Sequence, residues 1–328
     1  MRVIFLGTPE FAVPSLEGLL ETDWVKMLAV CTQPDRPSGR GNKLSEPPIK
    51  ALAQKNNLLV LQPIKISKDI EAISQIKKLN PDILISCAFG QIFSKENLEL
   101  APHGIINVHA SLLPKYRGSA PINWAILNGD KETGVSIMQT EVGLDSGPIL
   151  LQEKYSIGDN ETSIDLSKKL SMLGAKALVK ALELIKTGKA NFIPQDHTKA
   201  IKIPMLKKEL GLIDWNKTSN EIHNKIRGLQ PWPSAYTFYR GSMVKIWKSV
   251  MGRTEELEGW RAGENNSSSV IPGTIIEISD FVRVKTLDAF IDIYTVQPEN
   301  KRILNVKDWA NGIRIKIGEK FTILNTDR

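Results

Sequence analysis

Apolar residues in this chain keep two rhythms in turn. Short apolar runs at 2–6, 25–32, 58–61, 82–87 and 105–106 predict strands, the first of them buried. Residues 134–140 alternate with period two, and 149–155 reads as a further strand. Between them lie helical stretches: one running to about Leu20, then 49–55, 68–78 and 122–127. The longest spans 163–187, with Leu166, Leu170, Leu173, Ala177, Leu178, Leu182 and Ile185 at three- and four-residue steps. Strand and helix in alternation predict an α/β domain, a Rossmann-like, mostly parallel sheet with helices on both faces.

The rhythm breaks after Gly188. Residues 190–205 are polar and irregular, with Pro194 and Pro204, and read as a linker. A short helix at 219–227 and the run Pro231-Trp232-Pro233 follow. Short strands are then expected at 235–239, 243–250, 274–278, 282–285 and 290–294, with a polar, mobile loop at 255–269. Several short strands separated by turns predict a small OB-like β-barrel. The expected division is therefore 1–189, a linker at 190–205, and a second domain at 206–328.

Composition narrows the class. A chain of 328 residues, 41% apolar and 24% charged, can build two domains with real cores. No apolar run approaches the ~20 residues of a membrane span, and the first run is too short for the core of a signal peptide. A cytoplasmic protein with no membrane partner, present as a monomer, is the expectation. Cys31 and Cys87 both lie in apolar strand-like runs and read as buried thiols in a reducing compartment. Four histidines and no CxxC offer no metal-site pattern. A net charge of +7 fits a polyanionic partner without requiring one.

Three stretches are candidates for chemistry. The first turn, Gly7-Thr8-Pro9, faces a helix N-terminus but lacks G-x-G-x-x-G, with Phe11 near where a third glycine would stand. It reads as a tight strand–helix turn. The loop Gln33-Pro34-Asp35-Arg36-Pro37-Ser38-Gly39-Arg40-Gly41-Asn42-Lys43-Leu44 shows no periodicity. Its Arg36, Arg40 and Lys43 suit contact with a phosphate backbone, although a solvated charged loop has the same composition.

The third stretch, IINVHASLLPKYRGSAPIN at 105–123, leaves a strand and breaks at once into polar and turn-forming residues. Open α/β sheets place ligands beyond the carboxyl ends of their strands. Asn107 can donate to a carbonyl oxygen as it becomes an oxyanion. His109, two residues on along a strand, points to the same face and can donate or carry a proton. Asp145, from a neighbouring turn, can orient that imidazole. Ser111 is placed for binding rather than as a nucleophile. The set suits direct acyl transfer through a tetrahedral intermediate, with no covalent enzyme adduct. Singly, each residue has a plain structural reading: a hydrogen-bonded core histidine, a strand-end asparagine, a turn aspartate.

The pattern NVHxSLLPxxRG-APIxxAI, followed by Leu144-Asp145-Ser146-Gly147, resembles the signature of the folate-dependent formyltransferases. The resemblance carries that family's catalytic Asn, His and Asp onto Asn107, His109 and Asp145, and its folate-binding segment onto Ser111, Leu112, Leu113 and Pro114. It implies 10-formyltetrahydrofolate as formyl donor and no metal. Gly7-Thr8-Pro9-Glu10-Phe11, Gln33-Pro34-Asp35-Arg36-Pro37, Asp214-Trp215 and Pro231-Trp232-Pro233 are similar to the branch that formylates the methionine esterified to initiator tRNA. In that branch the loop around Arg40 meets the tRNA acceptor end and the barrel holds the nucleic acid. Ala110, Lys115-Tyr116 and the segment 86–91 depart mildly from the family pattern. The same catalytic triplet would serve a formyltransferase acting on glycinamide ribonucleotide or an amino sugar, or a formyltetrahydrofolate hydrolase. A catalytically silent RNA-binding protein is the reading from a different class.

Overall fold

Strand β1 (Arg2–Gly7) is apolar and fully buried from Val3 to Leu6 because it lies inside a sheet covered on both faces. The computed structural model describes residues 1–38, 43–252 and 270–323. It divides into two units, the first made of Met1–Pro121, Glu132–Ser156 and Ser167–Pro204.

Seven strands build the sheet of this unit: β1, β2 (Lys26–Cys31), β5 (Leu59–Leu61), β6 (Ile83–Cys87), β7 (Ile105–His109), β8 (Glu132–Gln139) and β9 (Ile149–Ser156). Their spatial order is β5-β2-β1-β6-β7-β8-β9. Pairing is parallel from β5 to β7, while β8 and β9 add an antiparallel edge. The chain moves outward from β1 to β2 and β5, then returns to β6 on the other side. That reversal between β1 and β6 opens the crevice where such sheets take ligands. Thr8 after β1 donates to the Phe89 carbonyl after β6 at 3.1 Å, so the two loops bordering it are tied together.

The helices of this unit begin and end where local chemistry dictates. Helix α3 (Ile70–Leu79) is capped by Asp69, which accepts from the Ala72 N–H, and stops at Asn80 in the left-handed region, φ +48°. Helix α6 (Ser163–Lys186) buries Leu170, Ala177, Leu178, Leu182 and Ile185, as its periodicity predicts. Gly174 on that helix lets it approach β7, since a Cβ there would lie 2.9 Å from Val108 Cγ1. Helix α6 thus backs the strand that carries Asn107 and His109 from the face opposite them.

The expected loop at 33–44 contains short strands. Strands β3 (Arg36–Ser38) and β4 (Lys43–Ser45) pair antiparallel, Arg36 opposite Ser45 and Pro37 opposite Leu44. Neither strand alternates in sequence, because neither packs a face on a core: Arg36, Leu44 and Ser45 are exposed. Such a hairpin leaves no periodic signal. Arg40 lies outside the described residues.

The second unit comprises Ile122–Lys131, Ile157–Leu166 and Met205–Arg328. Strands β10 (Ala235–Tyr239), β11 (Ser242–Met251), β12 (Ile275–Ile278), β13 (Val282–Lys285) and β14 (Phe290–Pro298) form an antiparallel sheet ordered β10-β11-β14-β13-β12, with β15 (Leu304–Asn305) beside β14. Residues 318–322 join its two edges. Ile275 donates to the Glu319 carbonyl and Phe321 to the Gly273 carbonyl, while Phe238 and Thr322 exchange two bonds. The sheet therefore closes, which removes its free edges. Ile213, Trp215, Ile226, Val244, Ile246, Ile291, Ile293, Trp309 and Phe321 fill it. Helix α7 (Ser219–Gly228) opens with a capping box between Thr218 and Glu221. Helix α8 (Val306–Ile313), which plugs the core with Trp309, had no counterpart in the sequence reading. The loop expected at 255–269 lies outside the described residues.

Candidate active site

Asn107 and His109 sit at the carboxyl end of β7, opposite Met138 and Ser136 of β8. Their two-residue spacing puts both on one face of the sheet, and Val108 on the other packs toward α6. Among the described residues the Asn107 carboxamide makes no hydrogen bond, and the side chain is only half-buried. His109 is 6% exposed. Its Nε2 lies 3.0 Å from the Tyr116 carbonyl, which can only accept, so Nε2 carries a proton. Nδ1 is left toward Asp145, 3.8 Å from Oδ2. That gap is too long for a hydrogen bond and leaves both groups available to a third.

Asp145 stands in the turn between β8 and β9 at φ +46°, a left-handed conformation costing about 1 kcal/mol for a residue with a side chain. Its Oδ2 accepts from the Gly118 N–H at 2.9 Å. Glycine is required two residues on, because a Cβ at Gly147 would lie 2.0 Å from the Gln139 carbonyl. The structure thus sets Asp145 beside His109, which shares a strand face with Asn107, although Asp145 is distant from both in sequence.

Residues 111–114 follow directly. Ser111 is fully buried; its hydroxyl donates to the Lys115 carbonyl at 2.6 Å and its own carbonyl accepts from Ser136. It shapes the turn rather than offering its hydroxyl outward. The Leu113 N–H donates to Ser136 Oγ, and its carbonyl accepts from Gln152. Leu113 is buried, while Leu112 and Pro114 remain partly accessible. A pinned backbone with two partly accessible apolar side chains makes a rigid ledge directly after β7.

Of the cationic loop, Arg36 is exposed and donates to Gln33 Oε1 at 3.1 Å; Gln33 in turn donates to the Phe89 carbonyl. Lys43 begins β4. The root of the loop is fixed by Asp35, whose carboxylate takes Lys50 at 2.6 Å and Gln62 at 2.8 Å. Those hydrogen bonds, with Lys50 the larger cause, hold the Asp35 carboxyl below its usual range.

Three supporting residues escaped the sequence reading. Ser136 and Gln152 fasten the ledge from β8 and β9. Gln195, from the stretch read as a linker, donates to the carbonyls of Asp145 and Gly147. A lone glutamine in an irregular polar segment carries no sequence signal. Among the described residues no group of histidine, cysteine or carboxylate side chains could hold a metal ion, and no helix is long and apolar enough to cross a membrane.

Comparison with known proteins agrees with this geometry. Residues 1–182 match the family model described as formyl transferase, and residues 205–314 match that of the formyl transferase C-terminal domain. A methionyl-tRNA formyltransferase of Ruminiclostridium cellulolyticum is 44% identical over 98% of this chain and 99% of its own length. One from Geobacter sulfurreducens is 40% identical over 98% and 96%. Among solved structures, an N-formyltransferase from Helicobacter canadensis, in complex with folinic acid and dTDP-3-aminofucose, shares the fold. Its TM-score is 0.67 at 21% identity, covering 91% of this chain and 99% of that one. With both halves matched by the family models and relatives similar along nearly their whole length, the chain belongs to the formyl transferase family.

Proposed function

We propose that this enzyme transfers the formyl group of 10-formyltetrahydrofolate to the α-amino group of methionine esterified to initiator tRNA, the step that prepares the initiator for translation. One observation carries the chemistry: at the end of β7 the Asp145 carboxylate lies 3.8 Å from His109 Nδ1, on the strand face that also carries Asn107, whose amide has no hydrogen-bond partner among the described residues.

The folate, held against residues 111–114, supplies the formyl carbon. The amine attacks it, and the tetrahedral intermediate collapses as the carbon's bond to the folate N10 breaks and N10 takes up a proton, releasing tetrahydrofolate. Asn107 donates from its amide to the formyl oxygen as negative charge grows there. A preorganised donor of this kind stabilises the transition state by about 2.7–4 kcal/mol. His109, fixed by Tyr116 through Nε2, turns Nδ1–H toward the same oxygen when protonated. Asp145 orients the imidazole and takes part in accepting the proton lost by the attacking amine. The Gly118 N–H, bonded to Oδ2, helps hold the carboxylate beside the ring.

On this reading residues 1–189 carry the chemistry, 190–205 connect, and 206–328 hold the tRNA. Arg36, Arg40 and Lys43 meet the phosphates of the acceptor end, and the protein works as a monomer in the cytoplasm. The net charge of +7 and full-length likeness to methionyl-tRNA formyltransferases support this acceptor over a small amine. The test is transfer of labelled formyl from 10-formyltetrahydrofolate to methionyl initiator tRNA, beside free methionine, glycinamide ribonucleotide and an amino sugar. Labelled tRNA alone is expected. A labelled small amine would keep the site and refute the acceptor.

A further inference from the structure

We infer that Gln195 is a positioning residue that holds the Asp145 turn in its working geometry by joining it to Arg117. Every polar position of its carboxamide is used. Oε1 accepts from Arg117 Nε at 3.0 Å and from Nη2 at 2.6 Å. Nε2 donates to the Asp145 carbonyl at 2.9 Å and to the Gly147 carbonyl at 2.7 Å. Both side chains are buried, Gln195 6% and Arg117 4% exposed, so none of these groups can turn to water instead.

The connection runs back to the reacting groups. Arg117 precedes Gly118, whose N–H holds the Asp145 carboxylate, and its own backbone is fixed between Ile201 and Ile203. Tyr116, one residue earlier, holds His109. The arm 116–118 therefore grips His109 and the Asp145 side chain, while Gln195 grips the Asp145 backbone from the other side and bonds to the same arm. The 3.8 Å separation of His109 and Asp145 is the outcome of both grips. Asp145 is in the left-handed region, so its turn relaxes once the carbonyl restraint goes. Only a primary amide suits the place: it must accept from a guanidinium and donate to two carbonyls at once.

Gln195→Glu separates this role from a purely structural one. A glutamate still accepts from Arg117, so the buried cation keeps its partner, but it has no N–H for the carbonyls of Asp145 and Gly147. The inference rests on the proposed role of Asp145. The variant is therefore compared with wild type on whichever amine the wild type formylates, and a wrong acceptor shows in the wild-type panel alone. The expected single-turnover rate is about 10²-fold below wild type, with KM for donor and acceptor within about twofold. Two buried carbonyls lose their donor, so melting falls as well, and rates are compared at a temperature where circular dichroism shows the variant fully folded. Should the glutamate variant not fold, Gln195→Met, close in shape and uncharged, is assayed the same way. A folded variant with the wild-type rate, or with raised KM and unchanged kcat, would overturn the assignment.

Discussion

Asn107→Ala is the sharpest test of the catalytic reading, because the structure separates its effects. The carboxamide has no hydrogen-bond partner among the described residues, so its removal orphans no buried group. The side chain sits half-buried at a strand end, where truncation leaves an open surface, not a sealed cavity. Loss of stability should therefore stay below about 1 kcal/mol. The transition state loses a preorganised donor worth about 2.7–4 kcal/mol, which lowers kcat by roughly 10²–10³. Single-turnover transfer at saturating donor and acceptor measures this loss, and differential scanning calorimetry measures stability. Donor affinity should hardly change, because the bond to Asn107 strengthens only as the formyl oxygen gains charge. A kcat within about threefold of wild type, less than one factor of ten and so under 1.36 kcal/mol, would refute the oxyanion role. A large fall in melting temperature would instead show that the amide has a structural partner.

Three further predictions concern other parts of the molecule. Gly147→Ala places a Cβ 2.0 Å from the Gln139 carbonyl, so the Asp145 turn must shift; formyl transfer should fall by about 10² while donor binding survives, as equilibrium titration would show. Burial pushes the thiols of Cys31 and Cys87 up to about 12, so both should resist alkylation in the native protein at pH 8 and react together once it is unfolded. Rapid native labelling of either would contradict their burial. In the barrel, the Tyr239 hydroxyl and then Arg240 hold the Glu319 carboxyl down at about 2, from an ordinary 4.5. A lowered folded value gives stability that is complete above pH 4.5 and lost as pH falls toward 2. Between those limits Glu319→Gln should lose less melting temperature than wild type, and equal slopes would show that the contact contributes nothing.

Much of this architecture was legible in the chain. Periodicity placed the parallel strands and helix α6 because buried faces impose it: Leu170, Leu178 and Leu182 are fully covered where the pattern required. Asn107 and His109 could be paired in advance, since two residues along a strand always share a face. What the chain could not show is any relation that depends on distant segments meeting. The β3–β4 hairpin has no core face and so no periodic trace. Closure of the barrel rests on backbone bonds from residues 318–322, which any sequence of that shape could make. The resemblance named Asp145, but only tertiary structure put it 3.8 Å from His109. Gln195 shows the same limit most plainly. Its segment is irregular and polar, and its role arises because folding brings Arg117 and two carbonyls of the Asp145 turn around one amide. Local sequence determines which face a side chain takes; only the fold decides what stands opposite it.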